Sequence, residues 1–223
     1  MDWMPIWLSL KLSAITTMIL LVVGIPLGYW LSYKNTIPKL ILEAFITMPL
    51  VLPPSVLGFY LLLAFSPQNA FGKWLQETMD IHLVFSFPGL VLASVLYSLP
   101  FMVSPIKSAF LHLPGSIAEA SFTMGKSRTH TLIHVLLPAI KSAIITAAVL
   151  TFAHTLGEFG VVLMIGGNIP GVTRVASIAV YDSVESMDYA SANNYSLILF
   201  ALTFIIVAGV FVFSRNAAKS PLE

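Results

Sequence analysis

Cysteine is absent from this chain and charge is scarce. Without Cys, disulfide frameworks, thiolate nucleophiles and cysteine-ligated metal centres are excluded. Charged residues make up 9% of the sequence, far below the roughly one quarter found in soluble domains. The formal net charge of +1 gives no basis for a nucleic-acid partner. What fills the chain instead is apolar: 57% of residues are hydrophobic and the mean hydropathy is +0.91. An all-α integral membrane protein follows, with the lipid bilayer as its solvent. A length of 223 residues suits one domain over 1–223, and no internal repeat or low-complexity linker divides it. The first apolar run is long enough to span and lacks a cleavage signature, so it is expected to remain in the mature protein.

A hydrocarbon core about 30 Å thick takes about 20 helical residues. Five stretches qualify as spans: 8–31, 41–65, 83–111, 139–165 and 195–214. Most of their charges, Lys11, Glu43, Lys107 and Lys141, fall close to span ends, where long side chains reach the interface. Lys and Arg accumulate on the cytoplasmic side. Lys34, Lys39, Lys107, Lys126, Arg128, Arg215 and Lys219 all fall on one side, against Lys11, Lys73 and Arg174 on the other. The N-terminus is therefore expected outside, and the C-terminus and the 115–130 loop inside. Pro26, Pro49, Pro53, Pro54, Pro88, Pro100 and Pro105 lie in the expected spans and predict bent helices bordering a path. Residues 166–171, rich in Gly and Pro, predict an external turn, and 174–184 a short interfacial or re-entrant helix.

Enzyme templates fail. Gly125-Lys126-Ser127 imitates the tail of a phosphate-binding loop, but Ala120 occupies the position of the required first glycine. His130 and His134 share a helix face without a third ligand nearby, so no metal site is expected. No serine elbow or zinc-protease pattern is present. Glu158, between Gly157 and Gly160, is an ionisable group inside a span and so a functional candidate; its structural alternative is a carboxylate bonded across a subunit interface. Ser55, Ser94, Ser98, Thr151 and Thr155 could line a path, or could bond within and between helices.

The spacing Glu119-Ala120-Ser121, Gly125, then Val135-Leu136-Leu137-Pro138 resembles the cytoplasmic signature of ABC-importer permeases, with Ser121 and Val135 replacing the usual Ala and Ile. Residues 155–171, with Thr173, Arg174 and 177–182, are similar to the permease subunits of molybdate ABC transporters, and the 49–58 run resembles the same group. The resemblance implies a MetI-like permease architecture in a bacterial inner membrane: five main transmembrane helices, a coupling helix and a short periplasmic helix. It implies a homodimeric pore, two cytoplasmic ATPase subunits and an external molybdate-binding protein. ATP and Mg are then used by the partner ATPase, with no cofactor bound by this chain and no catalytic residue in it. Glu119, Ala120, Ser121, Gly125 and Pro138 would couple to the ATPase, while Gly157, Glu158 and Gly160 would join the hydroxyls at a gate. A tungstate- or sulfate-type permease, a gradient-driven anion carrier and a non-transporting scaffold are the alternatives.

Overall fold

The structure, a computed structural model, describes residues 2–33 and 36–218, and every regular element among them is helical. Lys34 and Lys219, two of the orienting cations, lie outside the described residues. The centre is a pair of long apolar helices, α1 (Met4–Ser32) and α5 (Phe87–His112). Leu12 clusters with Leu90, and Gly24 and Gly28 lie against Met102 and Ile106. Contacts that advance together along both helices mean that the two run in the same direction.

Parallel neighbours need a returning crossover between them. It consists of α2 (Ile37–Thr47), a 3₁₀ turn over Met48–Leu50 and α3 (Pro54–Phe65), with α2 and α3 inclined by 112°. The expected continuous span 41–65 is thus broken, because Pro49, Pro53 and Pro54 remove three donors within six residues. Several prolines begin helices rather than bend them: Pro5, Pro38, Pro54 and Pro88 occupy first turns, where a missing N–H costs nothing. Among the seven prolines expected in spans, Pro26, Pro100 and Pro105 are the ones inside helices. A short helix α4 (Ala70–Met79) leads to Ser86, whose hydroxyl accepts from the Gly89 amide at 3.3 Å and caps α5.

After α5 come α6 (Gly115–Thr123), α7 (Arg128–Thr131), a π-helical turn over Leu132–Leu136, α8 (Leu137–Ala139) and α9 (Lys141–Leu156). The chain bends by 74° between α8 and α9. Helix α9 runs antiparallel to α5: Thr155 meets Ser98, whereas Ile140 clusters with Ile106 and Phe110. It ends at Gly157, so the expected span 139–165 is interrupted at 157–159 before α10 (Gly160–Gly166). The expected short helix is α11 (Ala176–Glu185), and α12 (Tyr189–Ala218) starts ahead of the anticipated 195. Ser191, through its side chain and amide, holds the Asp188 carboxyl below its ordinary range at the head of α12.

Among the described residues, three helices alone, or up to five elements when each bent pair counts as one, are long and apolar enough to cross a membrane. The N-terminal segment is clasped to α11 and to the start of α12. The Ala176 amide donates to Ser9 Oγ at 2.8 Å, and the Tyr195 hydroxyl to the Asp2 carbonyl at 2.8 Å. Ile6, Ala176, Ala179 and Tyr195 close an apolar cluster around those bonds. On α12, Phe200, Phe204 and Ile205 point outward, a surface suited to lipid.

Candidate coupling segment and transport groove

Helix α6 and the turn after it form a compact protrusion at the far end of α5. Its inner face is apolar, Ile117 and Ala118 packing against the cluster around Phe110 and Leu136. The buried Ser121 hydroxyl bonds Thr131 Oγ1 at 2.8 Å, and Thr131 Oγ1 in turn donates to the Ser127 carbonyl at 3.0 Å. These bonds pin α6 to α7. The turn closes on Gly125, whose φ of +74° is left-handed and whose amide donates to the Phe122 carbonyl at 2.9 Å. Glu119, Ala120, Phe122 and Met124 are left exposed, whereas Ser121 is 1% exposed. Pro138 lies exposed in α8, before the bend at Ile140. Thr131, which locks the protrusion, went unread in the sequence; a hydroxyl ten residues after the Ser that replaces Ala was the available signal. His130 and His134 stack, with ring centroids 4.3 Å apart.

At the opposite end, the break after α9 borders an open groove of about 520 Å³ lined by Ser55, Tyr97, His154, Gly157, Glu158 and Gly160. Helices α3 and α10 approach each other closely here, at Gly58 and Gly160. A Cβ on Gly160 would lie 2.8 Å from Pro54 Cβ, and one on Gly58 would lie 2.7 Å from Met164 Cβ and 3.0 Å from Val161 Cα. Glycine is required at both positions by the closeness of the backbones.

The expected path residues divide. Ser55 is exposed beside the groove, whereas Ser94, Ser98, Thr151 and Thr155 are packed inside the bundle. Ser98 Oγ lies 2.9 Å from Thr155 Oγ1 and 3.0 Å from His154 Nδ1, tying α5 to α9. Ser98 and Thr155 thus bond across helices, as hydroxyls in lipid commonly do, whereas the buried Ser94 and Thr151 hydroxyls have no hydrogen-bond partner among the described residues. His154, stacked on Phe101 at 3.9 Å, also escaped the sequence reading; an ionisable residue within an apolar span was its signal. The Glu158 backbone carbonyl accepts from Ser177 Oγ at 2.6 Å, but neither buried carboxylate oxygen has a hydrogen-bond partner among the described residues.

The loop over 166–174 is held by its own polar residues. Thr173 Oγ1 donates to the Gly166 carbonyl at 2.7 Å, Asn168 Nδ2 donates to Asp182 Oδ1 at 2.7 Å, and Arg174 pairs with Asp182 at 3.3 Å. The signature Gly-Gly-Asn-Ile-Pro-Gly thus marks a braced loop between α10 and α11.

A chain with a pinned terminal protrusion at one end and a glycine-lined groove at the other has counterparts among known proteins. It is 42% identical over 217 residues to the molybdenum transport system permease protein ModB of Azotobacter vinelandii, covering 97% of this chain and 96% of that one. ModB of Escherichia coli (strain K12) is 34% identical, over 92% of this chain and 90% of its own length. The sulfate transport system permease protein CysT of the same strain is 29% identical over 86% of this chain and 67% of CysT. Among solved structures, the MetNI methionine ABC transporter in inward-facing conformations matches with a TM-score of 0.71 at 17% identity, over 95% of this chain and 94% of that one. A bacterial ABC transporter importing the acidic polysaccharide alginate matches with a TM-score of 0.78 at 14% identity, over 96% and 78%. At such identities the structural likeness establishes the fold alone, and that fold is MetI-like. A family match over residues 24–218 completes the identification: the chain belongs to the binding-protein-dependent transport system inner membrane components.

Proposed function

We propose that this chain is the membrane permease of an ATP-driven molybdate importer, a single domain over residues 1–223. The observation that carries the substrate is the similarity to ModB permeases over more than nine-tenths of the chain, closer than that to a sulfate permease. Two copies form the path, two cytoplasmic ATPase subunits supply energy from ATP and Mg, and an external binding protein delivers the oxyanion. The exposed edge of α6, with Glu119, Ala120 and Gly125, is the face offered to the ATPase, held in shape by Ser121 and Thr131 and joined to α9 through Pro138. ATPase closure moves the two protrusions together and rocks the bundles between inward and outward states. Ser55, Gly157, Glu158 and Gly160 border the path at the far end, while Ser94, Ser98, Thr151 and Thr155 hold its wall.

In vesicles containing the permease, its ATPase and its binding protein, ATP-dependent molybdate uptake is expected to be blocked by excess tungstate and little affected by equal sulfate. Discrimination rests on donors fitted to the larger tetrahedral anion. Preferential sulfate uptake would overturn the substrate, and uptake driven by an ion gradient without the ATPase would overturn the mechanism.

The N-terminus faces outward and the coupling protrusion inward, as the distribution of Lys and Arg implies. Because the native chain contains no Cys, single cysteines at the exposed positions Gln68, Thr129 and Ser186 report without background. An impermeant maleimide applied to intact cells is expected to label positions 68 and 186, and to reach position 129 only after the cytoplasmic face is opened. Labelling of 129 from outside would reverse the orientation.

A further inference from the structure

Beside the coupling segment lies a second cavity, of about 620 Å³, lined by Tyr29, Trp30, Tyr33, Lys39, Arg128 and Leu132. It joins the last turn of α1, the first turn of α2 and the start of α7. Lys39 Nζ donates to the Trp30 and Tyr33 carbonyls at 2.5 and 2.6 Å and lies 4.5 Å from the centroid of the Trp30 ring. It is thereby fixed at the cavity wall, satisfying carbonyls that end α1. Arg128, exposed, comes from the other side. Among the described residues neither cation makes an ion pair, and no carboxylate lines the cavity. The Tyr29 and Tyr33 hydroxyls, 3.1 Å apart, add polar contacts.

The surroundings are apolar. Trp30 and Tyr33 are half-exposed, and Ile37 and Leu40 on the adjoining turn of α2 are also exposed. Amphipathic rings of this kind settle where hydrocarbon meets headgroups, and basic pockets between membrane helices on the cytoplasmic side take anionic headgroups.

We propose that this cavity binds the phosphate-bearing headgroup of an anionic phospholipid of the cytoplasmic leaflet, with its acyl chains along the exposed residues of α1 and α2. A soluble anion would use the two cations but would leave that adjoining apolar surface uncovered, so the lipid is the occupant that accounts for both. Arg128 opens the same short helix whose Thr131 pins Ser121. A bound headgroup therefore braces the coupling protrusion against α1 and α2, and occupancy tunes the transmission of ATPase movement.

The full-length chain, with its copurifying subunits, would be exchanged into nanodiscs of equal phosphatidylglycerol and phosphatidylcholine and its retained lipids counted by native mass spectrometry. Wild-type protein is expected to retain phosphatidylglycerol preferentially. Arg128→Gln should lower that retention about fivefold, the factor for one cation near an anionic surface, while Lys39→Arg, which keeps the charge, should preserve it. Equal retention of the two lipids by wild type, or unchanged preference in Arg128→Gln, would overturn the site. Displacement of the lipid by millimolar inorganic phosphate would replace it with a soluble-anion site and overturn the lipid assignment. These readouts do not depend on uptake, so the proposal and the molybdate assignment fail separately.

Discussion

Molybdate uptake coupled to ATP hydrolysis is expected to fall by about tenfold or more when Gly125 is replaced by tryptophan, equivalent to a loss of roughly 1.4 kcal/mol of coupling between permease and ATPase. Two physical effects contribute and can be separated. The left-handed φ of +74° strains any side chain, at a cost of about 1–2 kcal/mol. A Cβ there meets nothing within 4 Å, so bulk has room in the isolated chain and the bundle should still fold. Gly125→Ala carries the strain without the bulk and is expected to retain most uptake. Gly125→Trp adds a large ring on the face offered to the ATPase. Equal uptake by the two variants, with similar amounts of folded protein, would show that this face touches no partner.

The second large effect is on stability. Gly58→Leu is expected to destabilise the bundle by about 3 kcal/mol, the upper end of the range for overpacking. The obstacle is mostly main chain: Val161 Cα and its carbonyl oxygen would lie 3.0 and 3.1 Å from the new Cβ. A rotamer change cannot relieve that contact, so α3 must separate from α10. For a chain of this size the loss corresponds to a fall in thermal midpoint of roughly 6–12 °C, measurable by thermal unfolding of the purified protein. Gly209→Leu is the control, since a Cβ on Gly209 meets nothing within 4 Å. A midpoint for Gly58→Leu equal to that of the control would mean that α3 and α10 do not pack as described.

Much of the fold could be read in the chain because lipid demands long apolar runs, and the candidate coupling segment was proposed because its glycine and proline stand at fixed spacing. The breaks were harder. Whether Pro54 bends a helix or begins one depends on the satisfaction of the preceding carbonyls, which hydropathy does not register. Gly157 and Glu158 interrupt a run whose average hydropathy stays high despite them, so the end of α9 was invisible in the run 139–165. The candidate path hydroxyls show a different limit. Ser98 and Ser55 are the same residue type in similar surroundings, yet one bonds Thr155 inside the bundle and the other borders the groove. Only the rotation of each helix about its axis separates them, and neighbouring helices set that rotation. His154 was hidden for the same reason, its partners being Ser98 and Phe101 on another helix.

The clasp between the N-terminal segment and the last two helices carries a consequence for biogenesis. Ser9 is bonded to a residue 167 positions later, and Asp2 to one 193 positions later. At a synthesis rate of about 5–20 residues per second, α1 waits on the order of ten seconds or more in the membrane before those partners are made. During that interval it has α5 to lean on, but the N-terminal end of the pair remains open. Closure of that end therefore waits for the last helix, and a nascent chain arrested before Tyr195 would sit in the bilayer as an inserted, unlatched intermediate, exposed to proteolytic quality control.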